Sequence, residues 1–382
     1  MTELMMDFAR RTGLSPAVAQ PRRYLWTDAF AVCNFLGLYI HTGERQYRDL
    51  ALMLVDQVHH TLGRHRADDG RSGWISGLDE QEGERHPTIA GLRIGKSLPE
   101  RGSGEPFDES LEWDRDGQYF HYLTRWMHAL HRVSRVTGSP VYHQWALELA
   151  RTAHARFTYA PVSGGPKRMY WKMSIDLSWP QVSSMGQHDP LDGFITFCQL
   201  QYCPSGEQAG HTDTDLHEEI TDMTVMCQEG NWATDDTLGI GGLLCDAWKL
   251  AQMASACGFS QPDLLEHLLQ DALAGLQVFA RTHALELPPA CRLPFRELGL
   301  GIGLRAVERL RRSLGEQADR YREHVRLQEV VDRLMDHLPL AREIEVYWLD
   351  PARHTAATWN EHLDINAVML ATSLAPDGYL SL

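Results

Sequence analysis

No run of about 18 or more apolar residues occurs in the 382-residue sequence, since its most apolar helix candidate, Leu238 to Ala254, is interrupted by Asp246 and Lys249. A membrane partner is therefore not expected. Positive charge is also short: the formal net charge is −15, and nucleic-acid binding draws most of its free energy from Lys and Arg neutralising phosphates, so that class is set aside. The opening Met1-Thr2-Glu3-Leu4-Met5-Met6-Asp7 carries acids where a secretory leader carries Lys or Arg before an apolar block, so a cytoplasmic location is expected. The seven cysteines include no Cys-x-x-Cys pair and read as reduced core residues.

Phosphate and nucleophile motifs are missing as well. There is no Gly-x-x-x-x-Gly-Lys run and no Gly-x-Ser-x-Gly elbow. Gly299-x-Gly301-x-Gly303 lacks the dinucleotide spacing and any βαβ context. His211, Asp213, Asp215 and His217 alternate in a polar run that matches neither His-Glu-x-x-His nor a calcium loop. No metal site and no cofactor is predicted.

What the chain does have is helical periodicity. A hydrophobic fraction of 43% with 23% charged residues supports a large core. Apolar residues recur at three- and four-residue spacings, predicting a hairpin of helices over about 27–41 and 46–64 broken at Thr42-Gly43, and a second over about 117–136 and 141–157 broken at Thr137-Gly138. Further helix starts near His188, Thr234, Arg296 and His362 open apolar, charge-poor segments, giving six in all. Amphipathic segments such as Tyr142 to Ala155 and Asp263 to Arg281 alternate with them. Six apolar helices alternating with six amphipathic ones fit an all-α (α/α)6 toroid, one domain over 1–382, with all inner N-termini at one mouth. Glycine clusters at 239, 241, 242 and at 299, 301, 303 suggest close approach of two inner helices. The Gly- and Pro-rich stretch of about 67–115 predicts a long loop near the mouth, and about 160–187 a small β-hairpin.

Acids and aromatics gather just where these helices begin. In His188-Asp189-Pro190-Leu191-Asp192, Pro190 suits a first helical turn, and Asp189 and Asp192 fall one turn apart on one face beside a histidine. Glu112-Trp113-Asp114-Arg115-Asp116 leads into the next start, with Tyr119 following; its three acids project to one side if extended. Trp359-Asn360-Glu361-His362, preceded by Tyr347, supplies a second histidine of suitable acidity for proton transfer. Trp26 with Asp28, and Trp232 with Asp235 and Asp236, complete the set. Each acid also has a plain reading as a helix cap, because an N-terminus favours carboxylates.

This six-fold pattern, with starts such as Trp26-Thr27-Asp28 and Trp359-Asn360-Glu361-His362, resembles the six-hairpin glycosidase superfamily, which includes N-acylglucosamine 2-epimerase-like proteins. The resemblance implies a carbohydrate-active enzyme with a saccharide substrate. Its first expectation is a glycoside hydrolase pairing Asp189 or Asp192 with Glu112, Asp114 or Asp116, and using Trp26, Trp113 and Trp359 to stack sugars. Its second is a cofactor-independent epimerase or isomerase using His188 and His362. Its third is a noncatalytic binding or scaffold protein. Fold likeness does not choose among them, and oligomeric state is not legible.

Overall fold

The computed structural model describes residues 1–204, 215–228, 230–316 and 325–382; the predicted polar positions His211 and Asp213 lie outside the described residues. Contacts divide the chain into two compact units, one of residues 9–230 and one of residues 1–8 with 231–382. Among the described residues both are all-α apart from five very short strands in the first.

In the first unit, three hairpins follow in sequence: α1 (Leu25–Thr42) with α2 (Arg45–Leu62), α3 (Phe120–Thr137) with α4 (Val141–Phe157), and α5 (Asp189–Tyr202) with α6 (His217–Cys227). Helices α1, α3 and α5 pack side by side with α3 in the middle. Their stops are local chemistry. Gly43 and Gly138 sit at φ 73° and 74°, where a β-carbon is disfavoured, and their N–H groups cap Tyr39 and Ser134 carbonyls at 2.8 and 2.9 Å. Thirteen residues of α1 are buried, the all-round burial expected of an inner helix, whereas α2 keeps an exposed charged face.

The second unit repeats the plan with α7 (Thr237–Ala256) against α8 (Pro262–Arg281), α9 (Pro294–Glu316) against α10 (Val325–Met335), and α11 (Pro339–Leu349) against α12 (Leu363–Leu374). Here α9 is the middle helix. The glycine clusters explain its approach to α7: a β-carbon on Gly241 would lie 2.1 Å from the Gly299 carbonyl oxygen, and one on Gly303 would lie 2.6 Å from the Gly241 Cα. The helices touch backbone to backbone, as the glycine spacing predicts.

The segment before α3 is irregular apart from two short helices, Glu80–Arg85 and Glu109–Glu112. The predicted hairpin is present and larger than expected. Strands β4 (Lys172–Met173) and β5 (Pro180–Val182) form it, and β1 (Gln118–Tyr119) joins β4 antiparallel, so the start of α3 is tied to the hairpin. Strands β2 (Thr158–Tyr159) and β3 (Arg168–Met169) pair separately.

The cysteine expectation needs correction at three positions. Cys33, Cys198 and Cys245 are reduced and buried and Cys227 is reduced and half-buried, but Cys291 is exposed, and Cys203 and Cys257 are disulfide-bonded. No described helix is long and apolar enough to cross a membrane.

Candidate functional site

Sequence places several acids at the helix starts, and geometry sorts them. Asp28, at 1% exposure, accepts from the Tyr24 N–H at 2.8 Å and pairs with Arg23 at 3.2 Å. Asp116 is fully buried and holds Arg93 and Arg66 at 2.8 and 3.2 Å together with the Gly95 N–H at 2.9 Å. Glu112 takes Arg101 at 3.0 Å and Lys172 at 2.8 Å. A buried carboxylate that loses its water must be repaid by such partners, and all three are. These residues anchor the loop and the start of α3. Asp114 lies exposed beside them.

Asp189 and Asp192 are different. They lie one turn apart on α5, each almost fully buried, and face two residues one turn apart on α3: His121 Nδ1 is 3.6 Å from Asp189 Oδ1, and Arg125 Nη2 is 3.0 Å from Asp192 Oδ1. The spacing of four on α3 and three on α5 makes two rungs between neighbouring helices. The upper rung is open. At 3.6 Å the His121–Asp189 contact is an ion-pair distance and not a hydrogen bond, and Asp189 Oδ2 is buried with no hydrogen-bond partner. That oxygen packs on Gly186, whose β-carbon would lie 2.5 Å from it. His188 is the N-cap of α5, half-buried and making no side-chain cap bond.

Aromatic rings surround the open rung. Tyr119 stacks beside the His121 ring at 5.4 Å, and Tyr122 meets it edge-on at 4.8 Å. Tyr122 shares a 2.7 Å hydroxyl contact with Tyr24 and lies 6.5 Å from Trp26. On the other side Trp171 packs on Tyr119 at 5.2 Å and carries the half-exposed Trp113 at 5.3 Å. Burial pushes the pKa of the Tyr24 and Tyr119 phenols well above the ordinary tyrosine value, so both stay neutral donors at ordinary pH. A flat apolar wall edged by hydroxyls is what a sugar ring takes. Trp26, Trp113 and Tyr119 were legible in the sequence; His121, Tyr122, Arg125 and Trp171 were not singled out.

In the second unit the starts of α7, α9 and α12 also adjoin. Asp236 caps α7 by accepting from the Gly239 N–H at 3.1 Å and pairs with Arg296 of α9 at 2.6 Å. Asn366 of α12 accepts the Phe295 N–H at 3.0 Å, and His362 lies edge-on to Phe295 at 5.6 Å. Trp359 is buried between Trp348 and His354 at 5.8 and 3.8 Å, and Tyr347 is covered by Arg292 at 3.7 Å. Trp232 is likewise buried, held by Asp271 at its N–H. Trp359 and Trp232 are thus core contacts. Asp235 and Glu361 are exposed. Among the described residues no three His, Cys, Asp or Glu side chains gather as a metal site.

No protein-family model matches the sequence, and no curated protein matches it. Among solved structures it is similar to a sugar epimerase from a ruminal bacterium at 10% identity and TM-score 0.43, covering 83% of this chain and 75% of that one. It is also similar to cellobiose 2-epimerase from Bacillus thermoamylovorans B4167 at 10% identity and TM-score 0.44, covering 89% and 88%.

Proposed function

We propose that the chain is a carbohydrate-active enzyme that epimerises or isomerises a reducing sugar by proton abstraction and return, without a cofactor. The observation that carries this reading is the open rung: a half-exposed histidine, His121, beside a buried carboxylate, Asp189, whose second oxygen has no partner. In an open-chain aldose the C1 carbonyl acidifies the C2 proton. His121 takes that proton, the C2 electron pair delocalises onto the carbonyl oxygen as an enediolate, and Asp189 stabilises the imidazolium so formed. Return of a proton to the opposite face of C2 gives the epimer; return to C1 gives the ketose. His188, adjoining Asp189, is the candidate for the second proton-transfer group.

The hydrolase reading asks for a second free carboxylate. Glu112 and Asp116 are each held by two cations, Asp192 is held by Arg125, and Asp114 is exposed. The balance therefore favours proton transfer. The test is incubation of reducing mono- and disaccharides with the protein in D2O, followed by proton NMR. Loss of the C2 proton signal with appearance of an epimer or ketose is expected. Glycosidic cleavage without exchange at C2 would establish the hydrolase instead, and no change in any sugar would favour a noncatalytic protein.

A further inference from the structure

Eight lysine and arginine side chains lie in the segment from residue 64 to residue 115, and seven are matched. Arg64 pairs with Glu80, Arg66 with Asp68 and Asp116, and Arg71 with Asp69, Glu100 and Asp176. Arg85 pairs with Glu82, Arg93 with Asp116, Arg101 with Glu112, and Arg115 with Glu105. Lys96 is the exception: its half-buried ammonium makes no hydrogen bond or ion pair among the described residues and lies 5.5 Å from the centre of the Tyr24 ring.

Its backbone, by contrast, is fixed. The Lys96 N–H donates to Asp116 at 3.3 Å and its carbonyl accepts from Arg66 at 2.7 Å. Next to it Ile94 donates to the Gly117 carbonyl at 2.8 Å and accepts from the Leu25 N–H at 3.0 Å, stitching the segment to the starts of α3 and α1. A tethered main chain thus holds a free cation at the aromatic wall. From Lys96 the wall runs through Tyr24 to Tyr122 and on to His121, each group touching the next.

We propose that Lys96 anchors an anionic group of the substrate, a carboxylate or a phosphate on the sugar, while the ring lies on the tyrosines and its carbonyl end reaches His121. This rests on the reading of the His121–Asp189 rung as the reacting end. Partial burial holds the Lys96 ammonium below the ordinary lysine range, with Asp114 and Asp116 opposing that effect. Such a desolvated cation gains by receiving an anion. Of those two acids, Asp116 is already neutralised by two arginines, and Asp114 is exposed to water and salt.

The test is isothermal titration of the full chain with glucose, glucuronic acid and glucose 6-phosphate, for wild type, Lys96→Met and Lys96→Arg. Wild type should bind at least one of the two acids about tenfold more tightly than glucose, an advantage that shrinks with added salt. The acid that gains identifies the group. Lys96→Met should erase the advantage without changing glucose affinity, and Lys96→Arg should retain it. Equal affinity for all three sugars, absence of binding by both acids, or an advantage that survives Lys96→Met would overturn the proposal. Since binding is read without turnover, a charge preference without C2 exchange would leave Lys96 as the anchor and remove only the proton-transfer reading.

Discussion

His121 and Asp189 approach to 3.6 Å across the α3–α5 contact, and the carboxylate keeps one buried oxygen unpaired while Oδ1 of its neighbour Asp192 accepts a hydrogen bond from Arg125 at 3.0 Å. Two carboxylates three residues apart thus receive different tasks from the helix that faces them. Replacing His121 by Gln, or Asp189 by Asn, should lower the exchange rate by roughly 10²–10⁴-fold, the usual contribution of a positioned acid or base. Thermal unfolding should shift little, because neither side chain makes a short hydrogen bond that the variant loses. Retention of full exchange in both variants would remove the rung from the chemistry.

The helix starts were readable because their signals are local: an apolar period, a Thr-Gly stop, a Pro in a first turn. Asp189 and Asp192 stood out for that reason. His121 and Arg125 did not, since a basic residue one or five positions into an amphipathic helix looks like any other polar-face residue until the facing helix is known. The acids before α3 could not be ranked either. Glu112 and Asp116 differ from Asp114 through partners 11 to 60 residues away, Arg101, Lys172, Arg93 and Arg66. Trp171 reaches the wall only through the β1–β4 pairing, a long-range register that periodicity does not encode.

The lower rung should behave as a structural pair. Arg125→Met leaves the Asp192 carboxylate buried at 5% exposure with its cation gone, and removal of one partner of a buried pair costs about 3–5 kcal/mol. Adding Asp192→Leu should recover much of that loss. Urea denaturation of the two variants and the double variant reads the coupling directly; additive losses would show that the pair is not the source.

Stability should fall on mild acidification through buried histidines. His59 accepts the Trp126 indole N–H at 3.2 Å through Nε2, and His131 and His143 share a nitrogen-to-nitrogen contact of 3.3 Å, so His59 and at least one of the pair are held neutral by their bonds. Burial pushes His59 down to about 3 and His143 to about 4, with His131 well below its ordinary range. The unfolded chain takes up protons near pH 6.5 that the folded chain refuses. The stabilising term is complete above that pH and declines below it, by about 1.4 kcal/mol per pH unit for each histidine, down to the folded values. Urea midpoints between pH 7 and 4 should show this slope, and His143→Asn should reduce it.

The contact between α7 and α9 offers the sharpest test of the fold. Ala is the better helix former by about 0.8–1 kcal/mol, so propensity alone says that Gly→Ala stabilises a helix. At Gly241 the added methyl would stand 2.1 Å from the Gly299 carbonyl oxygen. The two helices must part, and overpacking of this kind costs about 1–3 kcal/mol or more. Gly315, near the end of α9, has nothing within 4 Å of its would-be β-carbon. Gly315→Ala should therefore gain stability while Gly241→Ala loses it, the opposite signs coming only from what each methyl meets. Equal gains at both positions in thermal unfolding would mean that α7 and α9 do not touch through their glycines.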